Sequence, residues 1–183
     1  KMYKGNKFYV PSMPMDDLET FDRSKNAAFE FSEAEFYLAY KDGKPVGRVA
    51  AIVNNKANQA WSVKQVRFGW FDFIDDLEVS KALLDAVIAF GKSKGMNQIA
   101  GPLGFTDFDP EGMLVDGFDR ICTMALFHNH PYYPEHMKKH GYVKETGWLE
   151  YRLTIPTEVP ERLKKLSQVV LERYNLKLIK KTK

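Results

Sequence analysis

The 183 residues carry 27 Lys/Arg against 24 Asp/Glu, a formal net charge of +3, with 44% hydrophobic and 14% aromatic residues. That balance suits one compact domain, or one domain and the start of another, and is too apolar for a disordered chain. No run approaches the roughly 20 apolar residues of a membrane span, and the single Cys122 excludes an internal disulfide. Lys1-Met2-Tyr3-Lys4-Gly5 lacks the apolar stretch of a signal peptide, so a soluble cytoplasmic protein without a membrane partner is expected. Eight basic but only three acidic residues lie from Pro156 onward. The positive balance therefore belongs to the tail and reads as a solvated helix face, not a nucleic-acid surface.

Residues 1–34 are turn-rich, with a helical stretch at Asp16–Phe21. Glu35–Lys41 and Lys44–Asn54 flank Asp42-Gly43, the pattern of a β-hairpin, and Asn54–Gln59 reads as a polar turn. Val66–Ile74 is an aromatic strand, with Phe68 and Trp70 on one face and Phe71 and Phe73 on the other. Asp76–Gly95 is a long helix with Asp75 as N-cap and Glu78 completing a capping pair. Its apolar positions Leu77, Leu83, Leu84, Val87, Ile88 and Phe90 span more than one stripe and call for burial. Asn97–Ala100 follows as a strand, which makes a parallel crossover.

Residues 101–130 form a long Gly- and Asp-rich segment whose aromatic content (Phe105, Phe108, Phe118) points to a packed loop. Tyr132–His140 is a short helix, and Tyr142–Ile155 a strand pair bent near Thr146-Gly147. Val159–Tyr174 is a second amphipathic helix, and Leu176–Ile179 a strand without a partner. All four histidines fall between His128 and His140. They lack Cys or a His-Glu-x-x-His spacing and read as surface and cap residues, not as a metal site. Asp107–Gly112 imitates the opening of an EF-hand loop but has Phe118 where a bidentate Glu is needed. No metal is expected, and Cys122 carries no mark of a nucleophile.

The order hairpin, strand, long buried helix, strand, short helix, Gly-Tyr, strand resembles the GNAT family of acetyl-CoA-dependent N-acetyltransferases. The resemblance is carried by Ala82-Leu83-Leu84 through Lys94-Gly95 and by Tyr132 through Gly141-Tyr142. Leu38-Ala39 through Gly47-Arg48-Val49-Ala50, with Gly101-Pro102 and Gly112 through Phe118, is similar to the N-terminal half of bacterial proteins with two GNAT-like lobes. It implies a mixed α/β fold, a twisted mixed sheet with helices on both faces. Residues 1–155 would be one lobe, and 156–183 a linker helix and strand stub opening a second. It also implies acyl transfer from acetyl-CoA to an amine, and as partner a second lobe of a longer chain or a homodimer mate.

In the family a Gln/Arg-x-x-Gly-x-Gly/Ala turn grips the CoA pyrophosphate with backbone N–H groups at a helix N-terminus. Aligned on Ala82-Leu83-Leu84, the turn falls on Asp75 through Ser80, so acids replace the basic residue and the first glycine. Phe73, Ile74, Asp75, Val79 and Ser80 are the implied cofactor contacts, at a site weakened for an anion. The family's general-acid Tyr falls on Met137, leaving Tyr132 or Tyr133 as substitutes, and Glu33, Glu35 or Asp72 as the base. Three readings follow: a catalytically silent lobe with a degenerate CoA site, an active acetyltransferase with a variant loop, or a small-molecule-binding module covered by 101–130.

Overall fold

The computed structural model describes residues 2–123 and 126–180. The chain divides into two compact units, Lys1–Val143 and Lys144–Lys183. In the first, α1 (Pro14–Phe21) and a 3-10 turn (Ala27–Glu30) precede the hairpin strands β1 (Ser32–Lys41) and β2 (Lys44–Asn54). Asp42 and Gly43 both take positive φ, as a two-residue hairpin turn requires. The expected polar turn after β2 is instead a short helix, α2 (Asn55–Ala60), because the Asn54 side chain accepts the Ala57 N–H and caps it.

β3 (Gln65–Phe73) pairs antiparallel with β2. α3 (Leu77–Ser93) then crosses over to β4 (Gln98–Ala100), which lies parallel to β3. The sheet order is β1-β2-β3-β4. The fold is mixed α/β, and its element order from the hairpin through β3, α3 and β4 to the short helix over Tyr132–Lys139 is the one the resemblance implies; the closing strand of that order is missing among the described residues.

Apolar residues lie on both faces of the sheet. Leu83, Leu84 and Val87 of α3 pack on Val49, Ala51, Val66, Phe68, Phe71 and Phe73. Gly91 lets the helix close on β3: a Cβ there would stand 2.6 Å from Val66. Leu77, expected within the buried surface, is exposed in the first turn of the helix. The other face carries Ala34, Ala50, Ile52, Trp70 and Phe105, covered by Phe21 and the 3-10 turn.

The expected face assignment in β3 is corrected. Trp70 has a φ of 44°, and the register with β2 slips between Arg48 and Ala50. This β-bulge sends Trp70 to the second face and keeps Phe68, Phe71 and Phe73 together on the first. Beyond the bulge the two-residue period resumes, so Asp72 emerges on the Trp70 side, where Arg48 meets it.

Two further expectations fail. Residues 142–155 form no strand, and neither does Leu176–Ile179. Alternation defines two faces, but a strand also needs a neighbour for its N–H and C=O groups. None pairs with these segments among the described residues. In the 101–130 segment Phe105 is fully buried, whereas Phe108 is fully exposed, so only part of that loop packs. α4 (Tyr132–Lys139) buries Tyr133 and His136. In the second unit, α5 (Glu161–Arg173) leaves Leu163, Leu166 and Val170 exposed.

Candidate functional site

Two neighbouring sites meet at the end of β3. The first is the N-terminus of α3, where the resemblance would place CoA phosphates. The N-cap is Asp76, not Asp75: its carboxylate accepts the Glu78 N–H at 2.9 Å and pairs with Lys41 at 2.7 Å. Asp75 is drawn away, because its Oδ1 accepts from Nε2 of His136 at 2.9 Å. The buried His136 reaches Ser80 Oγ through Nδ1 at 2.9 Å, and His140 Nε2 reaches the same oxygen at 2.8 Å.

Ser80 Oγ also lies 3.2 Å from the Leu77 carbonyl, so its single proton is shared between that oxygen and Nδ1 of His136, while Nε2 of His136 donates to the Asp75 carboxylate. The network ties α4 to the first turn of α3 and leaves Ser80 fully enclosed. Val79 is likewise buried against the sheet. The donors that would cradle a pyrophosphate are occupied by Asp76 itself, and two carboxylates stand around them. These residues do not fit a CoA pyrophosphate.

The second site is a cleft at the carboxyl end of the parallel pair β3 and β4, where crevices form as neighbouring connections diverge. Its walls include Arg48, Asp72, Met113, His128 and Tyr133, with Tyr3 and Tyr9 from the N-terminal segment. Asp72 Oδ2 accepts from Nε and Nη2 of Arg48, both at 2.7 Å. Its Oδ1 accepts from the Tyr3 hydroxyl at 2.9 Å. The Tyr3 hydroxyl also lies 3.0 Å from that of Tyr133, which accepts the Phe73 N–H at 3.1 Å.

Tyr132 donates to the Phe73 carbonyl at 2.6 Å, so consecutive tyrosines of α4 take both backbone groups of Phe73. Ile74 donates its N–H to the Val46 carbonyl. Burial, then the nearby Asp75 and Asp72 charges, pushes the Tyr132 hydroxyl up to about 12. Burial and Asp72 raise Tyr3 and Tyr133 as well. All three stay protonated and act as donors at neutral pH.

The structure thus brings Asp72, Tyr132 and Tyr133 together at one end of β3. Glu35 is exposed on edge strand β1, and Glu33 pairs with Lys94, both away from the cleft. Met137 packs on the core beside α3. Sequence reading missed Tyr3, which stacks between Tyr9 and His130. It sits in a turn-rich segment 69 residues from Asp72, and no local pattern marks it.

The histidines also differ from expectation. His128 and His136 are buried, since each has a partner that replaces water: Asn6 for His128, Ser80 and Asp75 for His136. Burial lowers the affinity of His128 and His140 for a proton, and the nearby His130 and His136, respectively, lower it further. The unfolded chain therefore binds protons first as pH falls through about 6.5, and stability present above that pH declines on acidification. The melting midpoint should drop between about pH 7 and pH 5, and drop less in the His128→Gln, His140→Gln double variant. A wild-type midpoint that holds steady over this range would contradict the assignment.

No family model matches the chain. It is 28% identical over 180 residues to Protein YghO of Escherichia coli strain K12, covering 97% of this chain and 46% of that protein. It is 24% identical over 154 residues to the bacterial ceramide synthase of Caulobacter vibrioides, covering 84% and 40% respectively. The chain thus spans less than half the length of these curated relatives. Among solved structures, a putative acetyl transferase from Pyrococcus furiosus superposes with a TM-score of 0.43 at 14% identity, over 82% of this chain and 85% of that one. No described helix is long and apolar enough to cross a membrane, and among the described residues no three His, Cys, Asp or Glu gather as metal ligands.

Proposed function

We propose that the Lys1–Val143 unit is an acyl-transfer lobe that acylates an amine in the cleft beside Asp72, without gripping CoA phosphates at α3. The observation that carries this is the Asp72 carboxylate set among protonated tyrosine hydroxyls at the open end of the parallel strand pair. An amine must lose a proton as it attacks an acyl carbon, and the leaving group must gain one. Asp72 is the acceptor within the cleft, and Tyr133 the donor. The hydroxyl of Tyr3 links them at 2.9 and 3.0 Å, so a proton taken by Asp72 has a path back to Tyr133. Arg48 fixes the orientation of the carboxylate through two 2.7 Å contacts to Oδ2, which leaves Oδ1 toward Tyr3. The relative named a ceramide synthase supports this reading, since ceramide is itself an N-acylated amine.

Calorimetry tests the phosphate half of the proposal. Acetyl-CoA should bind this chain with a Kd near or above about 1 mM, because Asp75, Asp76 and Glu78 oppose the pyrophosphate. A micromolar Kd would overturn the missing grip. For the chemistry, octanoyl transfer from a thioester to octylamine, followed by mass spectrometry, should exceed the uncatalysed rate. Transfer no faster than buffer would sink the acyl-transfer reading.

A further inference from the structure

The cleft beside Asp72 is filled by the protein's own N-terminal segment. Its remaining volume is about 40 Å³, room for a few water molecules and not for an acyl chain. Tyr3 takes up the space. Its ring stacks between Tyr9 at 4.1 Å and His130 at 4.8 Å, and its hydroxyl donates to Asp72 Oδ1 at 2.9 Å. An amine about to attack an acyl carbon would present an N–H to that same oxygen. Asn6 anchors the segment to the cleft wall, with its Nδ2 2.8 Å from Nε2 of His128.

Little else holds this segment down. Among the described residues, 2–10 make no backbone–backbone hydrogen bond to the rest of the chain. The Asn6 N–H to the Tyr3 carbonyl, at 3.0 Å, and the Tyr9 N–H to the Asn6 carbonyl, at 3.4 Å, stay within it. None of its residues belongs to either buried core. Val10 and Met13, 65% and 67% exposed, make a solvated connection to α1. A segment with few buried contacts and few backbone bonds opens locally while the rest stays folded. We propose that residues 2–9 are a strap that closes the cleft in the free protein, with Tyr3 standing where the amine substrate binds, and that substrate enters as the strap lifts. This rests on the acyl-transfer reading above and adds to it a step before the chemistry. The Tyr133 hydroxyl also lies 3.4 Å from Asp72 Oδ1 directly, so proton donor and acceptor stay neighbours when Tyr3 withdraws.

Octylamine binding to the 183-residue chain tests the strap. A closed strap lowers the apparent affinity by the fraction of molecules that are open, so loosening it tightens binding by the same factor. Asn6→Ala and Tyr3→Phe each remove a tether, and each should lower the octylamine Kd about tenfold, the size of one hydrogen bond. A second reading needs no substitution. Saturating octylamine should speed amide hydrogen exchange at Asn6 and Tyr9 of the wild type by about fivefold or more. Unchanged or weaker binding in either folded variant would overturn the strap while leaving acyl transfer beside Asp72 standing. So would exchange at these amides that bound octylamine does not alter. Octylamine that binds neither the wild type nor the variants would overturn both.

Discussion

Trp70→Ala should lower the unfolding free energy by about 3–5 kcal/mol in a urea titration. Trp70 is 6% exposed and fills the second face of the sheet, edge-on to Phe21 at 4.9 Å and tilted to Phe105 at 6.1 Å. Truncation removes both aromatic contacts and opens a cavity that backbone pairing around Ala50 and Gly69 cannot close. The bulge remains, so Ala inherits a positive φ without the packing that offsets it. The loop should loosen too, because Gly69 meets it closely: a Cβ at Gly69 would lie 2.5 Å from the Leu103 carbonyl. Faster amide exchange at Leu103, which donates to the Phe68 carbonyl, is the local readout. A loss below about 1 kcal/mol would show that Trp70 does not support this face.

Asp72→Ala is the second large effect, and it separates architecture from chemistry. The substitution strips Arg48 of two 2.7 Å contacts and leaves the Tyr3 hydroxyl without its acceptor. Breaking a fully buried pair costs about 3–5 kcal/mol. The Arg48 side chain is 39% exposed, so solvent takes up part of the lost interaction and about 2–3 kcal/mol is expected. Asp72→Asn keeps an oxygen for Tyr3 and should cost about half as much. Both variants should lose octanoyl transfer by about 100-fold or more, since neither can accept the amine proton. If the Asn variant folds and retains transfer, Asp72 is a structural ion-pair partner and the base lies elsewhere.

Much of the scaffold was legible in the residues themselves. The Asp42-Gly43 turn, the β3–α3–β4 crossover and the helix over Tyr132–Lys139 rest on signals within a few residues of each other. The acidic rewriting of the α3 N-terminus was legible as well, because it is a statement about charge. Asp72, Tyr132 and Tyr133 could be named as candidates on chemistry alone, but so could Glu33 and Glu35, which lie away from the cleft.

What only the tertiary structure decided are matters of partnership between distant segments. The Trp70 bulge reverses which residues share a face, because register against β2 overrides simple alternation. Asp76 caps α3 in place of the expected Asp75, because His136, 61 residues on, claims Asp75. Burial of His128 and His136 follows from Asn6 and Ser80, whose positions no local pattern relates to the histidines. Local propensity and charge are properties of short windows, and the sequence by itself determined the elements and the acidic helix end. Hydrogen bonds across 60 to 130 residues exist only once the chain has closed, so the cleft, its tyrosine pair and the free nitrogen of His128 belong to the tertiary structure alone.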